Sequence, residues 1–229
     1  MTWLLLFVHS PLVGPSTWAP VAAAARSRGS GVRVPDLTAV AESLPPFWET
    51  MVRQAVDAAA DSNDRVVVVG HSGAGVFLPA IGQCLGDRLQ ALVFVDAQVP
   101  PASGSHCTPP ALVKLLDEKT VDGTLLRWWE WWPADALEEA VPDPATRSVL
   151  RADMPRLPRI FYDEAVPVPD GWSEWSCGYV KLSDGYQTAC DEAKLRGWPT
   201  EAVDGHHLSL VTHPGIVLDA VEALIADLA

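Results

Sequence analysis

A serine lies in a glycine-rich turn directly after a strongly apolar stretch. Residues 66–75 read VVVVGHSGAG, so that four valines lead into a turn around Ser72. A β-branched run predicts a buried strand, and small residues beside the serine allow a tight strand-to-helix turn to close without clashes. Such a turn strains the backbone and directs the N–H of Gly73 at the group that the serine attacks. The stretch therefore predicts nucleophilic chemistry at Ser72.

This turn resembles the nucleophile elbow of the α/β-hydrolases. The family pattern is G-x-S-x-G, and residues 70–74 of this chain read GHSGA. Ala74 replaces the last glycine with another small residue, and Gly75 follows it. The resemblance implies a parallel α/β sheet, a Ser-His-acid triad and an oxyanion hole that includes Gly73. We also expect His71, beside the nucleophile, to contact substrate.

The resemblance places the catalytic histidine after the last strand, ahead of a closing helix that often begins near a proline. The matching segment is EAVDGHHLSLVTHP, residues 201–214. His207 lies seven residues before Pro214, as in the family pattern, so we expect it to be the base. His206 is then a neighbour in the same loop, and His213 belongs to the start of the helix. A neutral imidazole can accept the Ser72 proton and return it to a leaving group.

Two aspartates qualify as the acid that orients His207. Asp184 follows the strand after which most α/β-hydrolases carry the acid, but it also lies in a turn signature, Ser-Asp-Gly. Asp96 ends the apolar run 91–95, where other members, haloalkane dehalogenases among them, carry the acid. A carboxylate at the end of a buried strand needs a partner, because its desolvation is costly. We favour Asp96 and keep Asp184 as the alternative.

The first strand ends in His9, Ser10 and Pro11, where the family has an H-G-x loop that donates the second oxyanion N–H. Carried over onto this sequence, the donor position is Pro11, and proline has no N–H. We expect Leu12 N–H or the Ser10 hydroxyl to replace it, and His9 and Pro11 to contact substrate. The alternatives are catalysis with Gly73 N–H alone and a reaction without a tetrahedral oxyanion.

These candidate residues follow apolar runs that predict parallel strands. Runs that are apolar at consecutive positions suit strands buried on both faces, and they occur at 3–8, 32–34, 66–69, 91–95, 178–182 and 201–203. Helical patterns lie between them, at 18–28, at 46–60, after Ser72 and at 214–228. This alternation predicts an α/β fold of the α/β-hydrolase type, with a mostly parallel sheet of about six strands and flanking helices.

The stretch between residues 95 and 178 is too long for a simple crossover. It contains most of the tryptophans, and we predict short helices at 111–119, 123–132, 134–140 and 143–153. We interpret 1–98 and 177–229 as the α/β-hydrolase core, and 99–176 as a helical, Trp-rich lid inserted after the Asp96 strand. Helical spacing places Trp128 on one face with Trp131 and Trp132. These rings either pack within the lid or form an aromatic wall over a bulky apolar substrate.

Composition narrows the expected partners. The 229 residues include 29 acidic and 16 basic side chains, a formal charge of −13 that argues against nucleic acid and anionic membranes. The N-terminal apolar stretch ends at His9, which is short for a signal peptide or membrane span. Four separated cysteines without a C-x-x-C pattern indicate reduced thiols and a cytoplasmic location. We expect no metal or organic cofactor, a small-molecule substrate, and a monomer or homodimer.

The expected activity is hydrolysis of a carboxylic ester, thioester or lactone with a bulky apolar group, through an acyl-enzyme on Ser72. One alternative is a non-hydrolytic lyase, cyclase or natural-product tailoring enzyme, because the fold does not fix the reaction. The closing segment HLSLVTHP is similar to that of the hydroxynitrile lyase and methylesterase branch of the family. The other alternative is a ligand-binding protein that retains the pocket.

Overall fold

A six-stranded parallel sheet forms the centre of the molecule. The computed structural model describes residues 3–133 and 135–228. The strands are, in chain order, β1 (Trp3–Val8), β2 (Gly31–Arg33), β3 (Arg65–His71), β4 (Leu89–Val95), β5 (Ser105–His106), β6 (Thr120–Val121), β7 (Thr124–Leu125), β8 (Val166–Pro167), β9 (Cys177–Lys181) and β10 (Thr200–Ala202). The order across the central sheet is β10-β9-β4-β3-β1-β2, with every neighbouring pair parallel. The predicted α/β architecture is confirmed.

Helices cover both faces of this sheet. They are α1 (Ala19–Ser27), α2 (Phe47–Asp57), α3 (Leu78–Leu85), α4 (Pro110–Glu118), α5 (Ala136–Ala140), α6 (Pro144–Ala152), α7 (Gln187–Leu195), α8 (Ser209–Thr212) and α9 (Pro214–Leu228). Short 3₁₀ helices occur at Pro15–Thr17, Thr38–Glu42, Ser72–Phe77, Gly86–Arg88, Trp128–Trp131, Arg159–Asp163, Trp172–Glu174 and Asp184–Tyr186. None of the helices in the described part of the chain is long and apolar enough to cross a membrane.

The valine run of β3 shows why consecutive apolar residues predicted the central strands. Val66 and Val68 pack into the hydrophobic cluster that contains α2 and α3. Val67 and Val69 pack into the opposite cluster, which contains α1 and α9. Because side chains alternate across a strand, a strand covered on both faces must be apolar at every position.

The predicted helix at 123–132 is wrong. Residues 120–125 form an antiparallel hairpin of β6 and β7, with Val121 opposite Thr124. Its turn residues Asp122 and Gly123 have φ of 49° and 74°, which suits the Asp-Gly sequence that tight hairpins prefer. The tryptophan-rich part follows as the 3₁₀ helix Trp128–Trp131. In the predicted helix 134–140, Ala134 lies outside the described residues, and α5 begins at Ala136.

The segment 99–176 contains β5 to β8 and α4 to α6, and it is joined to the sheet region by two acidic side chains. Glu164 accepts hydrogen bonds from the N–H groups of Phe47 (2.8 Å) and Trp48 (3.0 Å) at the start of α2. Asp153 accepts one from Ser16 N–H at 2.8 Å. These contacts join the segment to the start of α2 and to the 3₁₀ helix Pro15–Thr17.

Candidate active site

Ser72 lies at the end of β3 in a backbone conformation that few non-glycine residues adopt. Its φ is 58°, and the chain turns there into the 3₁₀ helix that leads to α3. Gly70 packs against Leu78 so closely that a side chain would not fit. A Cβ on Gly75 would collide with the carbonyl of Gln98, whereas the alanine at position 74 occupies a fully buried position. The elbow therefore requires glycine at position 75, whereas the last glycine of the family pattern corresponds to position 74.

Asp96 ends the neighbouring strand β4 and contacts His207. Its φ of 44° is also in the left-handed region, and its side chain is fully buried. The distance from His207 Nδ1 to Asp96 Oδ2 is 2.8 Å. Leu182 N–H (2.9 Å), Ser183 N–H (3.0 Å) and the Ser183 hydroxyl (2.6 Å) donate to the same carboxylate. Each carboxylate oxygen thus has two donors.

These donors determine the charge of Asp96. Burial acts to raise the pKa of Asp96, but the hydrogen bonds from His207 and Ser183 outweigh it and lower the pKa below its ordinary value. The carboxylate is therefore ionised at neutral pH, and it can fix the imidazole with Nδ1 protonated and Nε2 free to accept a proton.

Asp184, the alternative acid, lies away from His207. Its side chain is fully exposed, and its carboxylate pairs with Lys181 Nζ at 3.1 Å. It begins the 3₁₀ helix Asp184–Tyr186 and occupies the turn position that its sequence also predicted. Of the two aspartates, only Asp96 is placed to orient the imidazole.

The imidazole of His207 lies between two other rings. On one side the ring of Tyr186 is stacked parallel to it, with centroids 5.0 Å apart and an interplanar angle of 5°. On the other side the centroid of His71 lies 4.3 Å away. His71 Nε2 donates to the backbone carbonyl of His207 at 3.0 Å. These contacts hold both the ring and the backbone of His207 in place.

His71 is buried behind the cavity wall, which differs from the prediction that it contacts substrate. It is 2% exposed, and burial followed by the proximity of His207 keeps its pKa well below the ordinary value. His71 therefore stays neutral and acts as a fixed hydrogen-bond donor beneath the base.

The hydroxyl of Ser72 has one hydrogen-bond partner among residues 3–133 and 135–228. That partner is the hydroxyl of Tyr186, at 3.0 Å. No hydrogen bond joins Ser72 Oγ to His207 within the described part of the chain, although both residues line the same cavity. Serine–histidine hydrogen bonds are often long before substrate binds and shorten in the reactive complex.

The loop after β1 lies beside the elbow, next to Gly73. A Cβ placed on Gly73 would be 3.2 Å from Ser10 Oγ and 3.4 Å from Pro11 Cδ. Ser10, Pro11, Leu12 and Gly73 all line the cavity together with Ser72. The loop thus brings the residues of two candidate oxyanion donors, Ser10 and Leu12, to the cavity that Ser72 and Gly73 line.

His9 supports this loop from inside the protein, which differs from the prediction that it contacts substrate. The ring is fully buried. Its Nε2 accepts from Leu37 N–H at 3.0 Å, and its Nδ1 donates to the Ser10 carbonyl at 2.9 Å. Burial lowers the pKa of His9, in keeping with this neutral tautomer.

The cavity in front of Ser72 has a volume of about 390 Å³ and a mostly apolar wall. Trp128, Trp131 and Trp132 contribute to it, which matches the second of the two interpretations, an aromatic wall beside the substrate. The centroid of the Trp128 ring lies 6.4 Å from that of His207 and 6.1 Å from that of Trp132. Trp131 is mostly buried, and its Nε1 donates to the carbonyl of Leu126 at 2.9 Å. The three rings have different roles, because Trp131 also anchors its own segment.

Several residues of the site were not identified from the sequence. These residues line the cavity, and one of them, Ser183, also binds Asp96. They are Trp48, Phe77, His106, Leu112, Leu115, Phe161, Tyr162, Ser183 and Tyr186. For Ser183 and Tyr186 a signal was present, because they follow β9, whose carboxyl end lies at the same sheet edge as those of β3 and β4. Phe77 ends the 3₁₀ helix that begins at Ser72, Trp48 belongs to α2, and the others come from the segment 99–176; no local pattern marks them.

Comparisons with known proteins assign the fold. No family model matches the sequence. No curated protein matches it either. Solved structures match over nearly the whole chain. One is an extracellular alpha/beta-hydrolase from a Paenibacillus species, which shares structural and functional homology with tobacco salicylic acid binding protein 2. Its TM-score is 0.76 at 16% identity, and the match covers 97% of this chain and 98% of that one.

Two further structures match equally broadly. A pyrethroid hydrolase from Sphingobium faniae JZ-2 has a TM-score of 0.74 at 16% identity, covering 99% of this chain and 98% of its own. Tomato methylketone synthase I, as an H243A variant with beta-ketoheptanoate, has a TM-score of 0.74 at 13% identity and covers 100% of both chains. At these identities the likeness is one of fold, and the chain has the α/β-hydrolase fold.

Proposed function

On this α/β-hydrolase fold, we propose that the chain is a serine hydrolase that cleaves a carboxylic ester, thioester or lactone with a bulky apolar group. The observation that carries the proposal is the Asp96–His207 pair, with 2.8 Å between Oδ2 and Nδ1, beside the strained elbow of Ser72. An ionised aspartate on Nδ1 leaves Nε2 as a base next to a serine with a positive φ.

The proposed reaction has two halves. His207 Nε2 accepts the Ser72 proton while Oγ bonds to the substrate carbonyl carbon, and Gly73 N–H with Ser10 or Leu12 stabilises the oxyanion. The intermediate collapses, and the imidazolium gives its proton to the departing oxygen or sulfur. Water then attacks the acyl-enzyme with His207 as base again, which releases the acid and restores Ser72.

The substrate class follows from the wall of the cavity. A volume of about 390 Å³ suits a small organic acyl or alkoxy group. Tryptophan and phenylalanine side chains dominate the wall and favour aromatic or branched apolar groups. Since the segment 99–176 supplies most of these rings, we propose that it acts as the lid and sets the substrate preference.

The test is hydrolysis of p-nitrophenyl esters with acyl groups of increasing bulk. The release of both p-nitrophenol and the free acid is measured. Wild type should hydrolyse them, and Ser72→Ala should lower kcat by roughly 10⁶-fold. A folded wild-type protein that releases no acid, or a Ser72→Ala variant that retains the rate, contradicts the proposal.

One observation favours a second candidate. Pro11 occupies the position where the family donates an oxyanion N–H, and proline has no N–H to donate. A reaction without a tetrahedral oxyanion, such as a lyase reaction, would not need that donor. Mass spectrometry of products from β-hydroxy and β-keto substrates distinguishes the two, because a lyase forms products without adding water.

A further inference from the structure

Tyr186 lies in direct contact with both the nucleophile and the base. Its hydroxyl is 3.0 Å from Ser72 Oγ, and its ring is stacked on the ring of His207. It ends the 3₁₀ helix Asp184–Tyr186 after β9, close to Ser183, which binds Asp96. The residue therefore belongs to the same rigid cluster as the acid and the base, and no step of the mechanism above uses it.

The phenol of Tyr186 is a hydrogen-bond donor over the whole range in which a serine hydrolase works. Burial raises the pKa of Tyr186 above its ordinary value, and the hydrogen bond with Ser72 only partly offsets this effect. The O–H group lines the cavity and remains protonated at neutral pH. Once Ser72 Oγ has bonded to carbon, this proton is free to turn to another acceptor.

The position of Tyr186 indicates which atom of the substrate accepts this hydrogen bond. Ser10 and Pro11 lie beside Gly73, on the oxyanion side of Ser72. Tyr186 instead lies against the imidazole that must protonate the leaving group. In the tetrahedral intermediate the leaving oxygen and Ser72 Oγ are bonded to the same carbon. The oxyanion is bonded to this carbon as well, so it is the contact of Tyr186 with both Oγ and the imidazole that favours the leaving oxygen as its acceptor.

We propose that Tyr186 is a further catalytic residue whose O–H donates a hydrogen bond to the leaving-group oxygen of the substrate. The inference rests on the proposed hydrolase function. As the bond between the carbonyl carbon and the leaving oxygen breaks, its electron pair stays on that oxygen, and His207 transfers its proton there. Tyr186 keeps its own proton and stabilises the growing negative charge. In the second half of the reaction, the attacking water takes the place of the leaving oxygen.

The test is the dependence of Tyr186→Phe on the leaving group. Two esters with the same acyl group are compared, one of p-nitrophenol and one of a simple alkyl alcohol. A poor leaving group needs the hydrogen bond and a good one does not, so we expect kcat/KM to fall by about 10²-fold for the alkyl ester. The p-nitrophenyl ester should change little.

Tyr162→Phe is the matched control. Tyr162 lines the same cavity, and the structure shows no hydrogen bond from it to Ser72 within the described part of the chain. Its variant should leave the ratio of the two rates as in wild type. Equal loss on both esters in Tyr186→Phe overturns the inference, because it indicates a positioning role. A faster Tyr186→Phe also overturns it, because the hydrogen bond would then only restrain Ser72. Failure of the hydrolase proposal is a separate result: the wild-type protein would then form no acid from either ester.

Discussion

The two sides of Ser72 are built in different ways. On the base side, here His207 with Asp96, Ser183 and Tyr186, side chains make the contacts, and each carboxylate oxygen of Asp96 has two donors. On the oxyanion side, residues 10–12 and Gly73 line the cavity, and one of these positions is a proline. The base side is fixed by a hydrogen-bond network, whereas the oxyanion side depends on how one loop is held.

Each side is supported by a buried neutral histidine. His71 donates to the backbone carbonyl of His207, and His9 donates to that of Ser10. The motif residues next to the catalytic positions are thus support rather than substrate contacts. The comparison predicts that changes to the base side cost the most activity, that changes to the oxyanion side cost less, and that changes to the supporting histidines act mainly on stability.

The largest effect is expected for Asp96→Asn. Asparagine keeps the shape but can present an N–H to His207 Nδ1, which favours the wrong tautomer, so kcat should fall by about 10⁴-fold. Steady-state hydrolysis of a p-nitrophenyl ester measures this loss. Asp184→Asn is the matched control and should retain the wild-type rate, because its side chain is fully exposed. Equal losses in both variants would contradict the assignment of the acid.

A smaller loss is expected for Ser10→Ala on the oxyanion side. If the Ser10 hydroxyl donates to the oxyanion, its removal should lower kcat by about 10²–10³-fold with little change in KM. Pro11→Ala, which restores an N–H at the family position, should have little effect when Ser10 or Leu12 already takes the role of the second donor. A large increase in kcat for Pro11→Ala would instead show that the oxyanion side lacks a donor.

Trp128→Ala is expected to affect the choice of acyl group more than the chemistry. Its ring lies 6.4 Å from His207 and borders the cavity. Loss of this apolar wall should lower kcat/KM for a bulky acyl ester by about tenfold to a hundredfold and change an acetyl ester much less. Parallel measurements on both esters check this. Equal changes on the two esters would indicate that Trp128 acts on His207 rather than on substrate.

The smallest effects are expected for His9→Gln and His71→Gln, and they concern stability against pH. Both histidines have a pKa lowered from 6.5, so below that pH the unfolded chain binds more protons than the native one. Their contribution is therefore present at neutral pH and is lost as the pH falls below about 6.5. Glutamine can still hydrogen-bond but does not titrate.

Each variant should therefore unfold more easily at neutral pH, by about 1–3 kcal/mol, yet lose less stability on acidification. Urea unfolding at about pH 7 and about pH 5 checks both expectations. A variant with the same pH dependence as wild type would show that the histidine is not buried in its neutral form.

The sheet was predictable because every strand that must be covered on both faces is apolar at consecutive positions, as in the run from Val66 to Val69. The elbow was predictable because a strand-to-helix turn admits few residue types. Asp96 required a physical argument as well, since a carboxylate at the end of a buried strand needs donors.

Other features depend on contacts that no local pattern contains. Tyr186 reaches Ser72 only because β9 and β4 are neighbours and the 3₁₀ helix after β9 turns its ring onto His207. The helical periodicity read into residues 123–132 was overridden by the Asp-Gly hairpin turn that precedes the tryptophans. His9 and His71 were placed in contact with substrate because they adjoin catalytic positions, yet both rings are buried and hydrogen-bond to backbone groups instead.

The proposed function requires Ser72 to be an activated nucleophile beside the Asp96–His207 pair. Reaction with a fluorophosphonate, followed by mass spectrometry of the intact protein and of its peptides, tests it most directly. We expect one phosphonyl group on the peptide that contains Ser72, none on Ser72→Ala, and much slower labelling of Asp96→Asn. A folded wild-type protein that is not labelled, or is labelled at another residue, would contradict the account.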